Sequence, residues 1–374
     1  MINTDSPGLC APSRQGKAYL LFLRGNQLMA QPFDAGTAAV SGEPVPIAEP
    51  LQLGPTFSAS ENGVLIFRRG LGAQARLTWF DREGKPMGTA GDAGQIRSPR
   101  ISPDQKSVAF YQIDGMGFDI WLFDGERGNT SRFTSGQDRA YSPAWSPDGS
   151  RIAYFVRRSS ETLVIERPAS GMGKETVLYR TNGKFLFPQS WSRDQLLLAD
   201  PATFYLLPMG PQGSGGERKP IPFPESHAAG SHPSISPDGR WLLYSSTQTG
   251  SREVFVESMP EQMGGPVAGF KRMISIGGGT QPAWRADGKE IFYVAADGKM
   301  MSVSVVTSGA SLKLTLPKPL FQARLAFNSV PRQYDVSADG KRFLLAQPLE
   351  ESTSVPITVI VNWPELLKKD AGAP

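Results

Sequence analysis

The chain has 374 residues, with 39 Lys plus Arg against 35 Asp plus Glu, one cysteine and two histidines. A single cysteine excludes an internal disulfide framework, and a small, scattered basic excess excludes the clustered charge of a nucleic-acid binder. No apolar run approaches the roughly 20 residues of a membrane-spanning helix, and no charged region followed by an apolar core marks a signal peptide.

In chain order, Ala18–Phe22, Leu28–Pro32 and Pro44–Ala48 read as the first short strands. A phrase then recurs, clearest in Trp145-Ser146-Pro147-Asp148-Gly149, Ile235-Ser236-Pro237-Asp238-Gly239 and Trp284-Arg285-Ala286-Asp287-Gly288. Fainter copies surround Asn62, Asp104, Asp194 and Asp339, and a degenerate one lies at Gln15; successive copies are 42 to 52 residues apart. Each unit opens with a strand A that ends on an apolar residue three before the Asp: Ile101, Trp145, Trp191, Ile235, Trp284 and Val336. Pro99, Pro143, Pro233 and Pro282 stand five before it, a position read as the tolerated first residue of a strand. Ser-Pro-Asp-Gly suits a type I turn. Strand B follows (Ile152–Tyr154, Ile291–Tyr293), then C (Leu77–Phe80, Asp119–Leu122, Glu253–Val256) and a weaker D near Arg132–Thr134 or Met273–Ser275.

Four strands in fewer than about 50 residues make one blade, so the fold class is an all-β propeller of four-stranded antiparallel blades. Eight units are counted; seven blades plus a hairpin, or a six-bladed ring with a two-blade remainder, are the alternatives. One domain is expected over residues 1–364, with a tail over 365–374 that begins as a helical turn at Glu365–Lys369. The last unit (Tyr334–Val336, Phe343–Ala346, Ile357–Asn362) lacks a fourth strand, and a strand near residues 1–10 is predicted to complete it and hide the edge.

Catalytic motifs are missing. His227 and His232 lack the further ligands a zinc site needs, no Gly-x-Ser-x-Gly elbow occurs, and the Gly213–Gly216 and Gly277–Gly279 clusters lack the Lys-Ser/Thr of a phosphate loop. No metal or cofactor is expected. The recurring aspartates read as turn residues that bond their own backbone, and the tryptophans as packing between blades. Loops from D to the next A and from B to C share one channel mouth. Seven before each Asp, the units present Arg97, Tyr141, Phe187, Ser231, Thr280 and Arg332 there, the candidate binding ring. The competing reading of these six is an ordinary variable loop rim.

The repeats resemble the TolB-like, WD40-like propeller repeats of bacteria. More closely, the chain resembles the propeller region that follows the kinase domain and membrane span of certain bacterial serine/threonine protein kinases. Tyr19–Asp34, Leu77–Lys85, Asp119–Asp124, Ser236–Ser246, Trp284–Tyr293 and Pro356–Pro364 carry the likeness. The kinase motifs themselves do not occur in this chain. The resemblance implies a non-catalytic sensor or interaction module, periplasmic or otherwise extracytoplasmic, binding a protein, peptide or cell-envelope ligand and no nucleic acid. The alternatives are a propeller hydrolase or lyase, or the propeller part of a prolyl-oligopeptidase-like peptidase.

Overall fold

The computed structural model describes residues 8–12, 18–24, 27–48, 57–68, 74–114, 117–134, 138–158, 161–200, 202–210, 218–223, 230–267, 269–308, 311–325, 331–349 and 357–369. They form two compact units: residues 75–349, and a second drawn from both chain ends, 1–74 with 350–374.

The larger unit is a ring of six antiparallel blades. Blade 1 runs Gln95–Ile101, Ser107–Asp114, Gly117–Asp124 and Asn129–Arg132; blade 2 runs Arg139–Trp145, Arg151–Arg158, Glu161–Pro168 and Thr176–Arg180. Blade 3 holds Phe187–Ser192, Gln195–Ala199, Phe204–Pro208 and Ile221–Pro222, and blade 4 holds Ser231–Ile235, Trp241–Ser246, Glu253–Ser258 and Lys271–Met273. In blade 5, Gly279–Trp284, Glu290–Ala295, Lys299–Ser308 and Lys318–Gln322 pair in turn. Blade 6 combines Tyr334–Val336 and Phe343–Pro348 with Ala75–Phe80 and Pro86–Thr89. Each first strand packs on the next around the channel, and Tyr334–Val336 returns to Gln95–Ile101 to close the circle.

Both faces of each inner strand pair are covered by neighbouring blades, which is why strands B read as near-continuous apolar runs. Trp241–Ser246 is buried at every position, and Leu242 and Tyr244 pack with Leu197, Phe204 and Leu206 of blade 3. Burying each such large side chain contributes roughly 1.5–3 kcal/mol. The A–B turns work as the sequence suggests. The amide of Gly149 bonds the carbonyl of Ser146 at 2.9 Å, and Ser146 Oγ donates to Asp148 Oδ1 at 2.5 Å while accepting from the Arg151 amide at 2.9 Å. The same lattice recurs around Asp104, Asp238 and Asp339.

Three expectations are corrected. The segment Leu9–Pro12 pairs with Ala18–Arg24 and does not complete the last blade. That blade is finished by Ala75–Phe80, whose buried Leu77 lies opposite Ala346 in register. Ile357–Val361 belongs to no blade; it pairs with Val64–Arg68. Six of the eight repeats close a ring, as in the alternative of a six-bladed ring with a two-blade remainder, and the chain clusters into the two units given above. Finally, the prolines five before the Asp lie inside strand A. The A–B register shifts between Arg97 and Arg100, Tyr141 and Ala144, Ser231 and Ser234, and Thr280 and Ala283. Each proline therefore occupies a β-bulge, where its missing N–H forfeits no ladder bond.

The smaller unit has two sheets. Leu9–Pro12, Ala18–Arg24 and Gln27–Asp34 form one, with Ala39–Val40 and Val45–Ala48 on the last; Phe57–Ala59, Val64–Arg68 and Ile357–Val361 form the other. They share a core of Leu21, Leu23, Leu28, Leu65, Phe67 and Trp363, with Tyr19 edge-on to Trp363 at 5.5 Å. A 3-10 turn, Trp363–Glu365, runs into the short helix Leu366–Lys369; residues 370–374 lie outside the described residues. Among the described residues no helix is long and apolar enough to cross a membrane.

Candidate functional site

The bulge sets up the channel wall. In four blades the residue before the bulge proline takes a left-handed φ: Ser98 (49°), Ser142 (52°), His232 (54°) and Gln281 (53°). This conformation is costly for a residue with a Cβ, by about 1–3 kcal/mol, and it breaks the strand's alternation so that residues before and after it do not share one pleat. His232 is buried in this wall; His227 lies outside the described residues.

The six residues seven before the Asp do not form one uniform ring. Tyr141 and Phe187, on neighbouring blades, meet at 6.1 Å between ring centroids. Around them gather Tyr111 (5.7 Å from Tyr141), Phe118 (4.9 Å from Tyr141) and Phe155 (5.0 Å from Phe187). Phe185 joins at 5.5 Å from Phe155 and is 42% exposed. Tyr141 and Phe187 are half-buried, so three rings of this cluster face solvent at the mouth. Arg97 lies opposite Tyr111 in strand register and donates to the Ile96 carbonyl at 2.8 Å. Burial holds its guanidinium below the usual arginine range, and burial raises the Tyr111 phenol, an effect that Arg97 moderates.

Ser231 and Thr280 sit across the mouth, in the wall of a cavity of about 420 Å3 between blades 4, 5 and 6. Arg252 Nη1 donates to Ser231 Oγ at 2.6 Å on its rim. Here Gly278 and Gly279 serve packing: a Cβ on Gly278, whose φ is +106°, would lie 2.8 Å from the Ala296 Cβ, and one on Gly279 would lie 2.8 Å from the Ser275 Cβ, whereas Gly277 is set by its φ of +73° alone. At the back of the cavity Gln281 Oε1 accepts the Gln333 backbone amide at 2.6 Å, and among the described residues the buried Gln333 Oε1 has no hydrogen-bond partner. Arg332 departs from the set. Blade 6 lacks the bulge proline and its first strand starts only at Tyr334, so Arg332 is buried, donating through Nη2 to the His232 carbonyl at 3.3 Å.

Sequence reasoning missed Phe185, Phe118, Tyr111 and Phe155, because none occupies the repeat position used to find the ring. It also missed the clasps from strand C to the D–A loop. Thr134 Oγ1 donates to Asp119 Oδ1 at 2.5 Å and accepts the Ile120 amide at 3.1 Å; Ser275 Oγ bonds Glu253 and accepts the Val254 amide at 2.7 Å. The tryptophans do pack between blades: Trp145 Nε1 donates to the Arg100 carbonyl of the preceding blade at 3.0 Å. Among the described residues no three His, Cys, Asp or Glu converge as metal ligands.

No family model matches the chain. Over 166 residues, 42% of this chain, it is 27% identical to an uncharacterized peptidase, YuxL, of Bacillus subtilis, and that match spans only 23% of the relative's length. Among solved structures it is similar to a putative TolB from Agrobacterium tumefaciens, with a TM-score of 0.53 and 15% identity, covering 75% of this chain and 99% of that one. The fold is a TolB-like β-propeller. TolB from Acinetobacter baumannii aligns with a TM-score of 0.46 and 13% identity over 81% of this chain and 80% of its own.

Proposed function

We propose that this propeller is a non-catalytic binding module that takes a protein or peptide partner at the mouth formed by its D–A and B–C loops. The carrying observation is the aromatic cluster there, with Tyr141, Phe185 and Phe187 reaching solvent from a well-packed base. Rigid aromatic side chains supply large contact area at low entropic cost and dominate interface energetics. The cavity beside Ser231 and Thr280 offers a second foothold on the same mouth. Arg97 lies opposite Tyr111 of this cluster, so its part is to position the rings. The kinase-region resemblance supports reading the module as an extracytoplasmic sensor or scaffold region of a receptor-type serine/threonine kinase.

Peptide display against the full chain tests this reading. Selected binders should lose about tenfold or more in affinity to a Phe185→Ala, Phe187→Ala variant, the cost expected of interface anchors. Unchanged affinity in that variant would sink the proposal. A second reading, the propeller part of a peptidase, draws on the 27% identity to the B. subtilis peptidase. Peptide hydrolysis by the intact natural protein, abolished by a serine-directed inhibitor, would favour it.

A further inference from the structure

We propose that the turn-side half of the ring's central channel is an oxyanion site, holding a carboxylate or phosphate group between Arg100 and Arg332. The cavity there has a volume of about 350 Å3 and opens among the A–B turns, at Ser102, Pro147 and Pro237. That end is opposite the aromatic mouth, so the proposal stands apart from the partner-binding reading. Water occupies about 30 Å3 per molecule, and the space therefore accommodates a small oxyanion with part of its hydration.

The charges in this cavity do not balance. Arg332 is 5% exposed, and among the described residues its Nε has no hydrogen-bond partner. Among the described residues Arg100 hydrogen-bonds backbone carbonyls alone, those of Pro99 at 3.4 Å and Gln189 at 3.5 Å, both at the long limit of a hydrogen bond. Among the described residues the nearby carboxylate is Asp335, which accepts the Ile101 amide at 2.8 Å; its charge acts on both guanidiniums without a direct ion pair to either. Two cations, Arg332 buried and Arg100 half-buried, thus line this half of the channel with one anion already engaged by backbone. Burial, and after it the charge of Arg332, pulls Arg100 down to about 9. An uncompensated buried charge is costly, and guanidinium forks match carboxylate and phosphate oxygens with two parallel bonds. A bound oxyanion would satisfy the Arg332 Nε, complete the coordination of Arg100 and neutralise the excess charge.

The test uses the full chain, with inorganic phosphate and acetate as probes at constant ionic strength, chloride making up the balance. Titration calorimetry should give saturable binding of one ion per chain for at least one probe. Arg332→Gln should weaken that binding roughly tenfold or more, the loss of a charge-assisted bond, and Asp335→Asn should tighten it by removing the competing negative charge. Saturation by phosphate alone or by acetate alone identifies the oxyanion, and either supports the site. No binding of either ion, or a non-saturating stabilisation equal in wild type and variants, would be a general salt effect and overturns the site. Should Arg332→Gln fail to fold, Asp335→Asn still decides: affinity unchanged or weakened overturns the proposal.

Discussion

Arg82 clamps the closing blade to blade 5, and replacing it with alanine measures how much that clamp contributes. Arg82 follows Ala75–Phe80 in chain order and reaches blade 5, its Nη2 2.7 Å from Glu290 Oε1 and its Nη1 3.1 Å from Oε2. Nη1 also donates to the Gly340 carbonyl at 2.9 Å, and the guanidinium lies 5.5 Å from the Phe292 ring centroid. Side-chain exposures are 30% for Arg82 and 8% for Glu290, so the pair is partly desolvated. Charge-assisted hydrogen bonds contribute about 1.5–3 kcal/mol, and the cation–π contact adds about 0.5–2 kcal/mol. Partial exposure screens the first, and Glu290 keeps Arg285 at 3.0 Å and Ser302. A loss of about 2 kcal/mol is therefore expected for Arg82→Ala. Urea denaturation followed by tryptophan fluorescence reads it, since six of the seven tryptophans lie between residues 75 and 349. The control is Arg127→Ala, whose partner Asp124 is 3.8 Å away and whose side chain is 82% exposed; it should change stability by less than about 0.5 kcal/mol. A double-mutant cycle with Glu290→Gln should show a coupling near 1 kcal/mol. Additive effects, or a loss no larger than the control's, would refute the clamp.

Three further outcomes follow from the same geometry. Ser142→Val should cost about 2 kcal/mol in the urea assay, because a β-branched side chain resists φ near 52°, whereas Ser142→Gly should cost nothing; equal losses would contradict the bulge. Asp148 is pushed down to about 2, first by the Ser146 bond and then by Ser150, and Asp104, Asp287 and Asp339 are lowered by side-chain bonds within their own turns. Folded values below the unfolded value mean the stabilisation is complete above about pH 4 and is lost as pH falls toward about 2; Asp148→Asn should flatten the stability–pH curve in that window and leave its shape near pH 7 unchanged. A chain of residues 75–349 should unfold cooperatively by itself, and one starting at residue 90 should not, since it lacks two strands of blade 6; calorimetry separates the two.

Local chemistry was the legible part of this fold. The A–B turns, strands B and C, and the turn role of the aspartates are set by residues within a few positions of one another, and they appear where the repeat puts them. Closure was not legible. Leu77–Phe80 reads as a strand C, which it is, but nothing local marks its partner as Phe343–Pro348 rather than its own repeat. The prolines were ambiguous for a similar reason, because a strand's first residue and a bulge both tolerate a missing N–H. At the mouth, Tyr141 and Phe187 share a repeat position and a place in space, while Phe185 shares only the place. Arg97 and Arg332 show the reverse: one repeat position, two surroundings, because blade 6 starts its first strand later than blade 1.

The pairings at the two chain ends are nested like brackets. Val64 lies opposite Val361 and Arg68 opposite Ile357; further in, Ala75 lies opposite Pro348 and Phe80 opposite Phe343. Tension applied between the chain ends would load each antiparallel pair at one end of its ladder, so its hydrogen bonds would be peeled one at a time instead of sheared together. The outer bracket must open before the inner one feels the pull. The six blades are thereby protected by a sacrificial pair of strands, and the blade that yields first is the one whose strands come from opposite ends of the ring's sequence.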